Sequence, residues 1–530
     1  MGDPQDLFQS DFLTIPLDKY QGDHSPVLLK DELSWLIAQL YHFVAESPNS
    51  TLLMQSNFSY WITYALQCAV NTYDAEAAQQ ICTLFYQLSQ DSSSLILIFE
   101  QTLGGKFAGQ TVAYAWMDQL FSATYDPRNT SVVIAINYIF SQLLAQKGDG
   151  FSDVVTKNIT EGSEKGKNAI LVLARALANS AEASENQHTA ELIANLLRSF
   201  VKKSPFILGI SLTEEITHGS FKGKSGVYVL VGAIRQAVEY QPHLIPIVGD
   251  ILIDVIDVVP NELSKALCKT HEQGPYKGKN TLHIILVSLV SAAYLNKNLE
   301  SVSVLMHVVH KVWKSNTDGK VTSALLHSIE TGEDANINGV MMIVRAMRAA
   351  IDHQHQVAPF TDFLIDFIQS DPNELGDAFT HHAPASNLRD YTVSPLVVLI
   401  NTFQSVNNVT LKTSLRNVIN KLADSKSALE MLLSLSGDAK LIFIEELAQV
   451  YSLNHKQVTW LAQTDSQQLK ASSTTLDSCF FLTKNNWGRG QHFFVTPYVS
   501  MDKGKKELQD KEDRCLQDDG RRNANGFSSP

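Results

Sequence analysis

Cysteine is scarce in this chain of 530 residues: only Cys68, Cys82, Cys268, Cys479 and Cys515, with no pair at CxxC spacing. That excludes a disulfide scaffold, gives no thiolate zinc motif, and points to a reducing compartment. Positive charge is short as well. Forty-two Lys and Arg face 55 Asp and Glu, a formal net charge of −13, whereas a general nucleic-acid binder needs the opposite balance. Long apolar runs are missing: 244–259 and 281–295 are too short, or broken by Asp250, Asp254, Asp257 and His283, to span a bilayer. The opening Met-Gly-Asp-Pro-Gln-Asp has no basic and apolar leader, and Asp6 stands where a myristoylation motif needs Ser or Thr. A soluble protein without a transmembrane segment is expected. Its 44% hydrophobic and 18% charged residues suffice for a large core, which excludes wholesale disorder.

Catalytic signatures are absent too. There is no HExxH, no Gly-x-Ser-x-Gly elbow and no glycine-rich dinucleotide loop. His307 and His310 share a helix face without a carboxylate at helical spacing, and Cys268 with His271 is a pair too local to weigh as catalytic. The stretch His218–Ser225 nearly spells a phosphate-binding Walker loop. His218 takes the place of its first Gly, and Gly219 leaves three residues before Gly-Lys-Ser where four are needed. Similar turns recur around Lys167 and Lys279, so a structural turn explains all of them. No catalytic, cofactor-binding or metal-binding residue is assigned, and no cofactor is expected.

What the chain does contain is a period. Gly104, Gly162, Gly219, Gly274 and Gly332 fall 58, 57, 55 and 58 residues apart, and each is followed six places on by Gln110, Asn168, Ser225, Asn280 or Asn338. An apolar run of helical length comes next each time. Gly closing one helix and a capping side chain opening the next is the simplest reading of this pair of marks. Ser394, followed by Pro395, continues the series without its Gly. Each period holds two long helices and a shorter third, and the long ones are apolar on more than one face (Val227, Val229, Leu230 and Ile234; Ile251, Ile253, Val255 and Ile256). Such helices need neighbours on both sides.

The expectation is therefore an all-α fold: an α-solenoid of six to seven three-helix repeats of about 57 residues, with units starting near 56, 110, 168, 225, 280, 338 and 394 of a solenoid at 56–437. A capping region at 1–55 precedes it. A C-terminal cap and aromatic segment at 438–500 follow, then a disordered charged tail at 501–530. The aromatic segment, with Phe480 to Tyr498, is expected to fold over the last repeat.

Gly278-Lys279-Asn280-Thr281-Leu282-His283 resembles the ankyrin signature, echoed by Gly166-Lys167-Asn168 and Gly223-Lys224-Ser225. The period is nearly twice an ankyrin repeat's and the Pro of that motif is missing, so the resemblance implies helical stacking and partner binding but no specific ankyrin geometry. The divergent solenoid with a charged tail, and the glutamate-bearing segment Lys503–Arg514, resemble type IV secretion effectors of intracellular bacteria such as Legionella. That resemblance implies residence in the bacterial cytoplasm before secretion and in the host cytoplasm afterwards.

Lys165 and Lys167, Lys222 and Lys224, and Lys277 and Lys279 hold equivalent places in three periods, with Phe221 and Tyr276 beside them. Stacking would line them up about 10 Å apart, each pair before a helix N-terminus. They are the candidate partner-binding residues. Against this stands the plainer reading that the lysines keep turns solvated while the aromatics pack on the neighbouring unit. The functional expectation is a non-enzymatic protein-interaction solenoid, a translocated effector binding a host protein. One alternative is an adaptor for an anionic lipid such as a phosphoinositide. Another is an enzyme with an unrecognised site between helices.

Overall fold

The computed structural model of the protein describes residues 30–422 apart from 47–57, 90–91, 163, 219–220, 273, 275, 296–298, 331–333, 382 and 386–387, together with 428 and 444. Residues 1–29, the expected cap and aromatic segment at 438–500 apart from residue 444, the charged tail at 501–530, and Gly219 and Gly332 lie outside the described residues. No described helix is long and apolar enough to cross a membrane.

The described residues form an all-α fold of stacked helical repeats, solenoid-like, with one short β-hairpin. It divides into two units at Leu267/Cys268. The first begins with α1 (Lys30–Glu46), which lies against α2 (Phe58–Thr72) and α3 (Ala75–Ser89). After α4 (Ser92–Glu100) come α5 (Val112–Ala123), α6 (Thr130–Lys147) and α7 (Asp149–Thr156). The same long-long-short order gives α8 (Ala169–Ser180), α9 (Gln187–Lys203) and α10 (Pro205–Thr213), then α11 (Gly226–Tyr240), α12 (Leu244–Val258) and α13 (Pro260–Cys268). First helices pack on first helices, α2 on α5 on α8 on α11; second helices do the same, α3 on α6 on α9 on α12. This is why the first helices are buried nearly all round: α8 leaves only Arg175, Ala178 and Asn179 incompletely covered. Between α3, α4 and α5 the core is aromatic. Trp116 packs edge-on against Phe85 (4.3 Å) and Phe99 (5.7 Å), and its indole N–H donates to Thr63 Oγ1 at 3.2 Å.

The second unit repeats the order with α14 (Thr281–Leu295), α15 (Leu299–Ser315), α16 (Lys320–Leu326), α17 (Gly339–Asp352), α18 (Ala358–Ser370), α19 (Pro372–Thr380), α20 (Pro395–Ser405) and α21 (Val409–Leu422). Here α14, α17 and α20 stack, as do α15, α18 and α21. Where the sixth period lacks its Gly, the chain forms the hairpin β1 (Ala383–Ala385) and β2 (Leu388–Val393), paired antiparallel with Ala383 opposite Val393. The periodicity gave no sign of it.

The capping side chains act as their spacing implies. Asn168 Oδ1 accepts the Leu171 N–H (2.9 Å), Asn280 Oδ1 that of His283 (2.7 Å) and Asn338 Oδ1 that of Met341 (2.9 Å); Ser225 and Ser394 do the same for Tyr228 and Val397. In the earliest of these periods the cap is Thr111, one residue after the expected Gln110.

The glycines do something different from what their spacing suggests. The short helices end at Thr156 and Cys268, six residues before Gly162 and Gly274, so neither glycine closes a helix. Gly104 is extended, with φ −101°. The third helices are correspondingly shorter than expected, α16 stopping at Leu326, because the following residues pair in a tight loop instead. Ile159 N–H donates to Lys167 O and Gly166 N–H to Ile159 O, both at 2.8 Å; Ile216 with Lys224 and Gly223, and His271 with Lys279 and Gly278, repeat that pattern. The residue two before the cap closes this loop in the left-handed region: φ is +78° at Gly166, +82° at Gly223, +78° at Gly278 and +66° at Asn336. Glycine and asparagine tolerate that conformation best.

Candidate functional site

The loops set the lysines in two classes. The earlier lysine of each pair, Lys165, Lys222 and Lys277, is exposed. The later one turns inward. Lys167 is buried and its Nζ lies 2.6 Å from Glu164 Oε2; Lys279 Nζ lies 2.6 Å from Asp334 Oδ2; Lys224 Nζ lies 5.1 Å above both the Phe221 and Tyr228 rings. The expected six-lysine stripe is thus corrected at Lys167 and Lys279, each held beside a carboxylate, while Lys224 lies over rings. Lys165, Lys167, Lys222, Lys224 and Phe221 belong to the first unit, and Tyr276, Lys277 and Lys279 to the second.

Four residues before the cap, four of these loops place a side chain on the preceding repeat. Phe107 packs on Tyr60 (5.8 Å), Glu164 accepts from the Tyr114 hydroxyl (2.6 Å), Phe221 lies under the Arg175 guanidinium (4.9 Å), and Asp334 holds Lys279. Phe221, singled out for a partner, therefore makes an inter-repeat contact.

In the first unit these contacts merge into one assembly. Arg175, projecting from the middle of α8, has its guanidinium 4.4 Å above the Phe121 ring of α5 and 4.9 Å above Phe221; Lys224 continues the series to Tyr228 in the first turn of α11. Cation–π contacts within about 6 Å are attractive and hold a charge at the surface without neutralising it. Beneath lies a knot of ionisable groups. Burial pushes the Asp118 carboxyl up to about 6, with Arg175 opposing and Glu164 adding to the rise. Glu164 is half-buried, which raises it, yet the hydrogen bonds from Lys167 and Tyr114 hold it below its ordinary value. Tyr114 is raised well above the usual phenol range by burial and by the Asp118 and Glu164 charges.

The adjoining stretch of α11 is open. No atom lies within 4 Å of where a Cβ at Gly232 would sit. Tyr228 is one turn before it and Arg235 one turn after, on the same side of the helix. Among the described residues, Arg175 and Arg235 make no hydrogen bond or ion pair.

Elsewhere the chemistry is less organised. A cleft of 440 Å³ in the second unit is lined by Trp313, Lys314, Asn316, Thr322, Asp366 and Gln369. Asp366 supplies the carboxylate that the helical spacing around His310 lacked: it comes from the next repeat, 3.0 Å from His310 Nε2 and 2.6 Å from Lys314 Nζ. No group of three or more His, Cys, Asp or Glu able to hold a metal occurs among the described residues. The Cys268 thiol is pushed up to about 12, mainly by burial, and so is not a ready nucleophile; His271 Nε2 lies 3.0 Å from Thr281 Oγ1 instead.

The sequence reading passed over Asp118, Phe121, Arg175, Tyr228 and Gly232. One signal could have found them. Aligned on the caps, the seventh residue onward reads Asp118, Arg175, Gly232, Val287 and Arg345 within apolar helices, a position that is incompletely covered in each of them.

No family model and no curated protein matches the sequence. A solved structure, that of SYS-1, is similar over 84% of this chain and 97% of its own, at 10% identity and a TM-score of 0.24. A likeness at that level carries no argument about fold or function.

Proposed function

We propose that the chain is a non-enzymatic interaction protein whose outward ribbon on α5, α8 and α11 binds another protein. The observation that supports this is the Arg175 guanidinium, fixed between the Phe121 and Phe221 rings and making no hydrogen bond or ion pair among the described residues. Fixed cations and aromatic rims lose little conformational freedom on binding and serve as interface anchors. Repeat folds suit such a role, because ribbon residues change without disturbing the stacked core. In an anionic-lipid reading the exposed Lys165, Lys222 and Lys277 would do the work; the inward turn of their partners leaves it less charge. Delivery by a type IV secretion system is part of the proposal only through the resemblance of Lys503–Arg514.

A photo-crosslinking amino acid placed at Ala178 on the ribbon, or at exposed Tyr138 on α6, separates binding faces. Saturable adducts from position 178 and none from 138 are expected when the full chain meets a candidate host extract. Equal adducts from both positions, or adducts from 138 alone, defeat the assignment.

A further inference from the structure

Three helix-associated glycines explain themselves by packing. A Cβ at Gly209 would meet Val259 Cγ2 at 2.7 Å, one at Gly226 the Leu212 carbonyl at 3.1 Å, and one at Gly339 the Leu325 carbonyl at 2.8 Å. Gly232 has no such excuse. It lies in the middle of α11 with open space above it, where Gly costs about 1 kcal/mol relative to Ala. The same register holds Asp118 on α5, Arg175 on α8 and Arg345 on α17, so the site accepts long side chains in other repeats. At Gly232 the ribbon is notched.

The cations beside the notch are Arg175 and Arg235, with the Asp118 and Glu164 carboxylates on the far side of Arg175 toward α5. Arg235 stands one turn along α11, on the same side of the helix as Gly232. On the neighbouring α8, Arg175 is held on the α11 side by the Phe221 ring. Tyr228 closes the end toward the loop, where Lys222 is exposed. On a protein whose net charge is −13, this is a local cationic site with a bare backbone floor.

Resting on the interaction reading above, we infer that the notch over Gly232 receives an extended acidic peptide segment, one carboxylate of which lies between Arg175 and Arg235. A planar guanidinium meets a carboxylate through two parallel N–H donors, and Lys cannot reproduce that fork. The glycine lets the peptide backbone come close to the helix. The rings of Phe121 and Phe221 keep Arg175 in place before the ligand arrives.

A random dodecapeptide library on phage, panned against the immobilised full-length protein, tests this, with affinities of the enriched peptides then measured by fluorescence polarisation. The expected result is an Asp/Glu-rich consensus. Its binding should fall at least about tenfold with Gly232→Leu, Arg175→Gln or Arg235→Gln, fall less with Arg235→Gly than with Arg235→Asp, and weaken as salt is raised. The Cβ of Gly232→Leu meets nothing within 4 Å and leucine favours helix, so circular dichroism should show it folded; Gly232→Ala, with a smaller side chain, should keep more of the binding. An acid-poor consensus, or affinities indifferent to Gly232→Leu, overturns the inference. So does displacement of the peptide by phosphatidylserine vesicles through the same residues, which would assign the notch to a lipid surface. Should no peptide enrich while position 178 still cross-links to protein, the acidic-segment inference falls and the interaction reading stands.

Discussion

At the scale of single residues, two helical positions are informative for what each lacks, a side chain or a hydrogen-bond partner. Gly232 is one. Because nothing lies within 4 Å of its missing Cβ, Gly232→Ala should raise stability by about 0.5–1 kcal/mol, read as an increase in the urea midpoint at unchanged slope. His283 is another. It is fully buried on α14, its Nε2 lacks a hydrogen-bond partner among the described residues, and its ring stacks at 6.3 Å from His327. Burial lowers it to about 4, helped by His327 and Lys279 and opposed by Asp334. The folded protein therefore binds this proton less readily than the unfolded chain. The resulting stability is complete above about pH 6.5 and is lost as pH falls toward 4, a difference of about 3 kcal/mol. His283→Met, which places at this register the residue found at Met341, should flatten that acid-side decline; thermal melts between pH 7 and pH 4 check it.

At the scale of elements, the capping asparagine is the joint that ties a repeat together. Asn168 not only caps α8 but donates through Nδ2 to Ser211 Oγ at 2.9 Å, at the end of α10; Asn280 and Asn338 reach the carbonyls of Ala324 and Ala378 in the same way. Asn168→Ala removes the cap and leaves a buried polar contact unmade, so a loss of about 1–2 kcal/mol is expected in chemical denaturation. Asn168→Asp should restore the cap but not the donation, and fall between the two. The loop before the cap is equally local in origin. Its left-handed residue fixes where the backbone pair closes, which is why Asn336 replaces Gly without changing the pattern.

For the whole molecule, stability comes from nearest neighbours, because each long helix is covered by those of adjacent repeats. Trp116, touching Phe85 and Phe99 and bonded to Thr63, joins successive repeats of the first unit. Trp116→Ala should cost about 3–5 kcal/mol. Hydrogen exchange on the full chain should then accelerate most in α2, α3, α4 and α8 and less in α11 and α12. Uniform acceleration throughout the first unit would mean that it unfolds as a single block. Surface links between second helices, such as Arg198 to Asp250 at 2.8 Å and His243 to Glu191 at 3.1 Å, are partly exposed and should matter little by comparison.

The sequence alone determined the helical class, the period and the capping residues other than Thr111, for which it named Gln110, because caps and apolar faces are set by neighbours three and four places along the chain. Its reading of the glycines was wrong in one respect: Gly162 and Gly274 mark loops and close no helix, a distinction that depends on backbone pairing across the loop. The hairpin at 383–393 and the inward turn of Lys167, Lys224 and Lys279 were not legible either. Only the tertiary structure decided those, and with them the candidate site. Arg175 meets Phe121 and Phe221, and Asp366 meets His310, across some fifty residues of chain, and no local spacing encodes which side chain of the next repeat will lie above a given charge.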